Sequence, residues 1–89
     1  MAFTDNDIEI DILGLLADRS PASSICPSDV ARALIGEEAE WRALMPQVRE
    51  VAKRMANDGV IRVTQGDSEV TIDEHLRGPI RLRRGDRFP

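Results

Sequence analysis

Apolar residues of this chain recur at helical spacing in its longer first part and at strand spacing in the remainder. The helical pattern predicts three helices, at about 5–19, 27–35 and 41–58. The first helix follows a capping residue, Thr4, and ends before Pro21, because proline disfavours helical geometry at the preceding residue. The first part of the chain is therefore expected to be mainly helical.

The third predicted helix carries a broad apolar sector and a separate row of basic residues. Arg42, Arg49 and Lys53 fall on one edge of its polar side. Pro46 leaves two interpretations open: a continuous but bent helix, which we favour, or a separate first turn followed by the main helix. Residues 37–40 form either a polar connection or the acidic start of this helix. The apolar sector contains Trp41, Leu44, Met45, Val48, Val51, Ala52, Met55 and Ala56.

Beyond Gly59 the apolar residues alternate with polar ones, which is typical of strands that bury one face. Ile61 and Val63 are expected to face the core, and Arg62 and Thr64 the solvent. A second alternating run near the carboxyl terminus repeats this pattern, with Ile80 and Leu82 facing inward. The predicted extended segments are 23–26, 60–65, 69–72 and 80–83.

The order of these elements predicts an α+β fold of the winged helix-turn-helix type. It would consist of three helices and a C-terminal two- or three-stranded β-hairpin, the wing. A chain of 89 residues has room for one modest core, so a single domain spanning 1–89 is expected. Its core would cover about 5–84, and the charged tail at 85–89 is expected to fray.

A resemblance to a known family rests on four blocks of sequence. They are SSICPSDVARAL at 23–34, WRALMPQVR at 41–49, VIRVTQG at 60–66 and RGPIRLR at 77–83. Taken together, over about residues 6–84, they resemble a small bacterial family of unknown function in the winged-helix class. The resemblance implies the winged-helix fold and a bacterial source. It implies no activity, substrate or ligand residues.

Charge is unevenly distributed along the chain, although the net charge is only −4. Residues 1–40 carry nine acids and two bases, a balance of −7, whereas residues 41–89 carry seven acids and ten bases, a balance of +3. A basic face can therefore exist on an acidic protein. No apolar run is long enough to span a membrane, no signal-peptide pattern is present, and the single Cys26 cannot form an internal disulfide. These features predict a soluble, cytoplasmic protein.

Binding of double-stranded DNA is the sharpest functional hypothesis. In a winged helix the third helix can enter the major groove while the hairpin contacts the backbone or the minor groove. Basic and amide side chains on both elements would then contact phosphates and base edges. The net charge and two acids at the hairpin tip, Asp67 and Glu69, argue against strong binding. The predicted contact residues are Arg42, Gln47, Arg49, Lys53 and Asn57 on the helix and Arg77, Arg81, Arg83 and Arg84 on the hairpin.

The alternative is a protein-interaction or dimerisation module that binds no nucleic acid. The acidic first half and the basic second half could pair between two copies in a homodimer. Trp41 is expected to anchor the core, whereas an exposed tryptophan would favour a partner. A dimer formed through the first helix would rest on Ile10 alone. In the plainest interpretation, the charges simply solvate the surface.

Catalysis is not expected. The sequence has no glycine-rich phosphate loop, no Cys/His metal spacing and a single histidine. Cys26 has no base near it in sequence and is expected to be a buried or half-buried thiol. Asp73, Glu74 and His75 cluster titratable groups, but a solvated surface turn explains them. We therefore predict no enzyme activity, no metal and no small-molecule cofactor.

Overall fold

The helices and strands follow one another in the predicted order. The computed structural model describes residues 3–89 of the chain. These residues form three helices and a four-stranded antiparallel sheet, which confirms the α+β prediction. No helix in this range combines the length and the apolar character needed to cross a bilayer. In chain order the elements are α1 (Asp5–Ala17), β1 (Ser24–Ile25), α2 (Pro27–Leu34), α3 (Glu38–Asn57), β2 (Ile61–Gln65), β3 (Ser68–Glu69) and β4 (Arg81–Arg84).

Helix α1 begins where the sequence provides a reciprocal cap. The backbone N–H of Asp7 donates to Thr4 Oγ1 at 3.1 Å, and the backbone N–H of Thr4 donates to Asp7 Oδ2 at 2.9 Å. These bonds satisfy donors that the first turn of a helix leaves without partners. The helix ends at Ala17, slightly before the predicted end at Arg19.

Helix α3 is continuous through Pro46, as the favoured interpretation predicts. It starts at Glu38 rather than at Trp41, so the acidic residues that precede Trp41 belong to its first turn. Carboxylates are favourable there because the helix dipole is positive at that end. The earlier start places Glu38 and Glu40 at the leading end of the element proposed for recognition.

Gly59 ends α3 by adopting a φ of 78°, in the left-handed region that glycine tolerates without steric penalty. The Gly59 N–H donates to the Ala56 carbonyl and the Val60 N–H to the Met55 carbonyl, both at 3.0 Å. This pair of bonds is the Schellman arrangement, which satisfies the last carbonyl groups of a helix. It also turns the chain directly into β2.

The sheet is larger than the predicted hairpin, because β1 also joins it. The strand order is β1-β4-β2-β3, and all neighbours are antiparallel. In the β1–β4 pair, Ser24 lies opposite Arg83 and Ile25 opposite Leu82. Strand β3 is only two residues long, so most of the predicted segment 69–72 belongs to a loop. Pairing between strands so distant in sequence is a tertiary effect that local alternation does not predict.

The core consists of aliphatic residues and Met55, and every helix and the inner face of the sheet contribute to it. Trp41 and Phe3 are half-buried and pack against its edge. Ile10, on the outer side of α1, is 60% exposed. The buried residues are Ile8, Ile12, Leu16, Ile25, Val30, Ala31, Leu44, Val48, Val51, Ala52, Met55, Ile61, Val63, Ile72, Ile80 and Leu82.

Partial burial of the Asp11 carboxylate on α1 is energetically unfavourable. Its Oδ2 atom is shielded from solvent and has no hydrogen-bond partner in the described part of the chain. Because burial removes water from the charged carboxylate, it raises the pKa of Asp11 above the usual value for aspartate. The folded state therefore binds this proton more tightly than the unfolded state. Protonated Asp11 therefore favours the folded state, and this contribution to the free energy of unfolding is lost as the pH rises through the raised pKa.

Replacement of Asp11 by asparagine is expected to stabilise the protein at neutral pH, because Asp11→Asn has no carboxylate to desolvate. The gain in free energy of unfolding should shrink as the pH falls towards the usual pKa of aspartate, where Asp11 becomes protonated in both states. Urea denaturation followed by circular dichroism at several pH values measures the gain. Glu50→Gln, on the exposed side of α3, is the control. An equal gain at every pH would contradict desolvation as the cause.

Candidate functional site

Two basic side chains line one edge of α3. Arg49 and Lys53 are about one helical turn apart, and both are half-buried. Neither forms an ion pair with any residue between 3 and 89. Asn57 continues this edge by another turn and is exposed. These three residues form the α3 edge, and they share it because side chains spaced by four positions lie on one side of a helix.

The loop between β3 and β4, residues 70–80, provides the surface beside this edge. Ile72 and Ile80 anchor the loop by burying their side chains in the core. The side-chain amide of Gln65, at the end of β2, donates to two carbonyl groups of the loop. The Val70 N–H donates to the Val63 carbonyl at 2.9 Å. The loop is therefore held in place at several points.

An open groove of about 340 Å³ separates α3 from the 70–80 loop and is termed the α3–loop groove below. Arg49 and Lys53 lie on its helix wall, together with Glu50, and Asp73 and Glu74 lie on its loop wall. No ion pair joins the two walls among residues 3–89. The groove thus presents two bases and the acid Glu50 on its helix wall, a balance of +1, and two acids on its loop wall, a balance of −2. Its lining residues are Pro46, Arg49, Glu50, Lys53, Ile72, Asp73 and Glu74.

Two other predicted contact residues of α3 bond to the protein itself. Gln47 Nε2 donates to the Phe3 carbonyl at 2.9 Å and to Asp5 Oδ1 at 3.0 Å, which joins α3 to the start of α1. Arg42 forms an exposed ion pair with Glu38, one turn earlier in α3, at 2.9 Å. A ligand would have to displace these contacts before it could use either side chain.

The half-buried Trp41 connects α2 to α3. The Arg32 guanidinium of α2 lies 4.7 Å from the centre of the indole ring, and that of Arg42 lies 4.9 Å from it. Guanidinium groups are attracted electrostatically to aromatic rings at such distances. Both neighbours therefore cover the ring, in agreement with its expected structural role.

Arg84 on β4 caps the carboxyl end of α1. Its Nη2 donates to the Leu16 carbonyl at 3.0 Å and to the Arg19 carbonyl at 2.9 Å. The last carbonyl groups of a helix lack intrahelical donors and carry the negative end of the dipole, so a cation is favourable there. The guanidinium also lies 4.7 Å from the centre of the Phe88 ring. Arg84 thereby joins the last strand to the first helix and to the segment 85–89.

The remaining hairpin arginines also donate to the protein's own acceptors. Arg81 and Arg83 bond to the segment 22–26 around β1, and Arg77 bonds to carbonyl groups of its own loop. Six of the nine predicted contact residues therefore donate to acceptors of the protein itself. Among residues 3–89, the three residues of the α3 edge make no ion pair and share one side of the helix.

The sequence does not predict that Asp73 and Glu74 lie beside α3. They follow the edge residues by about twenty positions, and no periodic pattern links the two segments. Ile72, an apolar residue directly before the two acids, is the local signal that this part of the loop packs against the core. The apolar Ile72 could therefore have predicted where the loop is anchored. No local signal predicts that the two acids after it face α3.

Metal-binding geometry is absent among residues 3–89, where no group of three or more His, Cys, Asp or Glu side chains could hold an ion. His75 Nε2 lies 3.5 Å from Glu74 Oε1 on the exposed loop. Cys26 is half-buried, as expected, and its sulfur accepts a hydrogen bond from Arg81. The two residues lie on different elements of the fold.

The fold and its surfaces define a small α+β domain with three helices and a four-stranded antiparallel sheet. A family model described as a protein of unknown function (DUF3253) matches residues 5–85, and the chain belongs to this family. This confirms the expected membership of an uncharacterised family. No match to the chain was found among curated proteins.

Arg84→Ala removes the guanidinium that caps the carboxyl end of α1. It is expected to lower the free energy of unfolding by about 2 kcal/mol, because charged donors are lost from carbonyl groups at a helix end. Urea denaturation followed by circular dichroism measures the change. Arg77→Ala is the matched control, since Arg77 bonds only within its own exposed loop. The free energy of unfolding of Arg77→Ala should fall by less than about 0.5 kcal/mol. Equal losses in the two variants would contradict the capping role of Arg84.

Proposed function

We propose that this chain is a winged-helix domain that docks a protein partner in the α3–loop groove and has no catalytic activity. Connectivity supports the fold part of the proposal. A helix, a short strand and two helices precede the hairpin, and β1 pairs with the last strand. Helix α3 then occupies the recognition position of helix-turn-helix variants, and β2, β3, the 70–80 loop and β4 make up the wing.

Carboxylates in the first turn of α3 and at the tip of the hairpin make duplex DNA the less favourable partner. A recognition helix contacts base edges with its N-terminal residues, and α3 begins with the exposed Glu38 and Glu40. The tip of the hairpin carries the exposed Asp67 and Glu69. Glu40, Asp67 and Glu69 form no ion pair among residues 3–89, so their charges would repel the phosphates of an approaching duplex.

The opposition of charge across the α3–loop groove is the observation that carries the docking proposal. Arg49 and Lys53 on one wall would attract carboxylates, whereas Asp73 and Glu74 on the other would attract basic groups. A nucleic-acid backbone carries charge of one sign and would be repelled by the loop wall. A polypeptide carries charges of both signs.

An extended segment of a partner protein fits these walls. Successive side chains of an extended chain point in opposite directions, so acids and bases at alternating positions would meet opposite walls of the groove. The exposed Pro46 offers apolar contact between the charged groups. We therefore propose that the partner presents a short extended segment with alternating acidic and basic residues.

Selection of peptides from a random phage-displayed library on the purified chain tests this proposal. Enriched peptides should carry both acidic and basic residues, and synthetic copies should bind Arg49→Ala/Lys53→Ala about tenfold more weakly than the natural chain. Arg19→Ala/Arg87→Ala removes the same charge from exposed positions elsewhere and should leave the affinity unchanged. Failure to enrich any peptide that depends on the groove would overturn the proposal.

Fluorescence anisotropy with a random-sequence duplex at low salt provides the opposing test. No binding is expected at tens of micromolar protein, because the acids of α3 and of the hairpin tip oppose it. Binding that Arg49→Ala/Lys53→Ala abolishes would reject the docking proposal and assign duplex recognition to the α3 edge.

A further inference from the structure

The outer face of the sheet carries three neighbouring arginines, which we term the arginine face: Arg62 on β2, and Arg81 and Arg83 on β4. Their inward-facing neighbours Val63 and Leu82 are buried, so alternation directs the three arginines away from the core. Arg62 and Arg83 are direct partners in the β2–β4 pairing. Cationic side chains of two strands therefore lie side by side.

Neutral acceptors hold the two guanidinium groups of β4 in place. Arg81 donates to Ser24 Oγ at 2.8 Å, to the Ser24 carbonyl at 3.1 Å and to Cys26 Sγ. Arg83 donates to Thr64 Oγ1 at 3.2 Å and to the Ala22 carbonyl at 2.9 Å. Hydroxyl, thiol and carbonyl groups fix the orientation of a guanidinium without neutralising its charge.

The positive charge of the arginine face is compensated by no ion pair among residues 3–89, although Glu69 and Asp86 line an open cavity together with Arg62. Arg62 uses only its Nε–H, which donates to the Arg84 carbonyl at 3.2 Å, so its terminal N–H groups have no acceptor in this range. Like charges directly opposite each other in a sheet are destabilising, and a bound anion would relieve this repulsion between Arg62 and Arg83.

We infer that the arginine face is a docking site for an extended acidic segment of a partner protein. Arg81 and Arg83 are two residues apart on one strand, which is about 6.6–6.8 Å. Carboxylates at every second position of an extended chain have the same spacing. Each could therefore accept a charge-assisted hydrogen bond from an N–H group that the guanidinium does not use within the protein.

The boundaries of the face favour a short polypeptide segment over nucleic acid. Glu69 lies opposite Thr64 at the β3 side of the face, and Asp67 lies in the adjoining turn. A duplex would extend its phosphate row towards these acids and be repelled by them. A short peptide can remain on β4 and β2. This inference is independent of the α3–loop groove, which none of the three arginines lines.

A fluorescein-labelled heptapeptide in which glutamate alternates with serine is the probe for this site. At low salt the natural chain should bind it, and a peptide with glutamine in place of glutamate should not bind. Arg62→Gln/Arg83→Gln should weaken the affinity about tenfold, because charge-assisted hydrogen bonds are lost. Arg42→Gln/Arg49→Gln removes the same charge from α3, at positions outside the two cavities that Arg62 lines, and should leave the affinity unchanged. Equal weakening by the two double variants would overturn the assignment to the sheet.

Amide chemical shifts of the natural chain provide a second measurement that needs no variant. Addition of the glutamate peptide should shift amides of β2 and β4. Shifts confined to α3 and the 70–80 loop, or no shift at millimolar peptide, would overturn the inference. A random-sequence duplex that shifts the same amides at lower concentration than the peptide would also overturn it and assign the face to nucleic acid.

Discussion

Strand β4 connects the parts of this fold, because it lies between β1 and β2 and pairs with both. Leu82 is fully buried, and Arg84 at the end of the strand donates to the Leu16 carbonyl of α1 and to the Arg19 carbonyl just beyond that helix. A hydrogen-bonded strand with a buried centre cannot shift by one residue without exposing its apolar side chain. Both proposed surfaces depend on this register, since the loop before β4 forms one wall of the groove and β4 itself carries two residues of the arginine face.

Basic residues that look equivalent by charge have different roles in the folded chain. Arg54 is paired with the Glu9 carboxylate at 3.2 Å, on exposed side chains where such pairs contribute little stability. Arg84 satisfies carbonyl groups at a helix end, which binds α1 to the sheet. Arg81 and Arg83 donate to neutral acceptors, so their orientation is fixed while their charge persists. Net charge therefore says little about which surface of this acidic protein can attract a ligand.

The two faces of helix α3 have different surroundings. Its apolar side is held in the core by burial of Val48, Val51 and Met55. The surroundings of its basic edge are set by the segment that lies opposite it. Because the 70–80 loop places acids there, the edge becomes one wall of a groove with both signs of charge rather than a uniformly positive surface. This mixture of charges is the basis of the proposal that the groove docks a polypeptide.

Local sequence determined the helices, the strand alternation and the aliphatic core, because caps, glycine stops and apolar periodicity act between residues close in the chain. Thr4 and Gly59 mark helix ends in sequence and in structure alike. Only tertiary structure decided the pairing of β1 with β4, the capping of α1 by Arg84, and the placement of Asp73 across from α3. Each of these joins segments far apart in sequence, and the partner of a charged side chain depends on how the core brings such segments together.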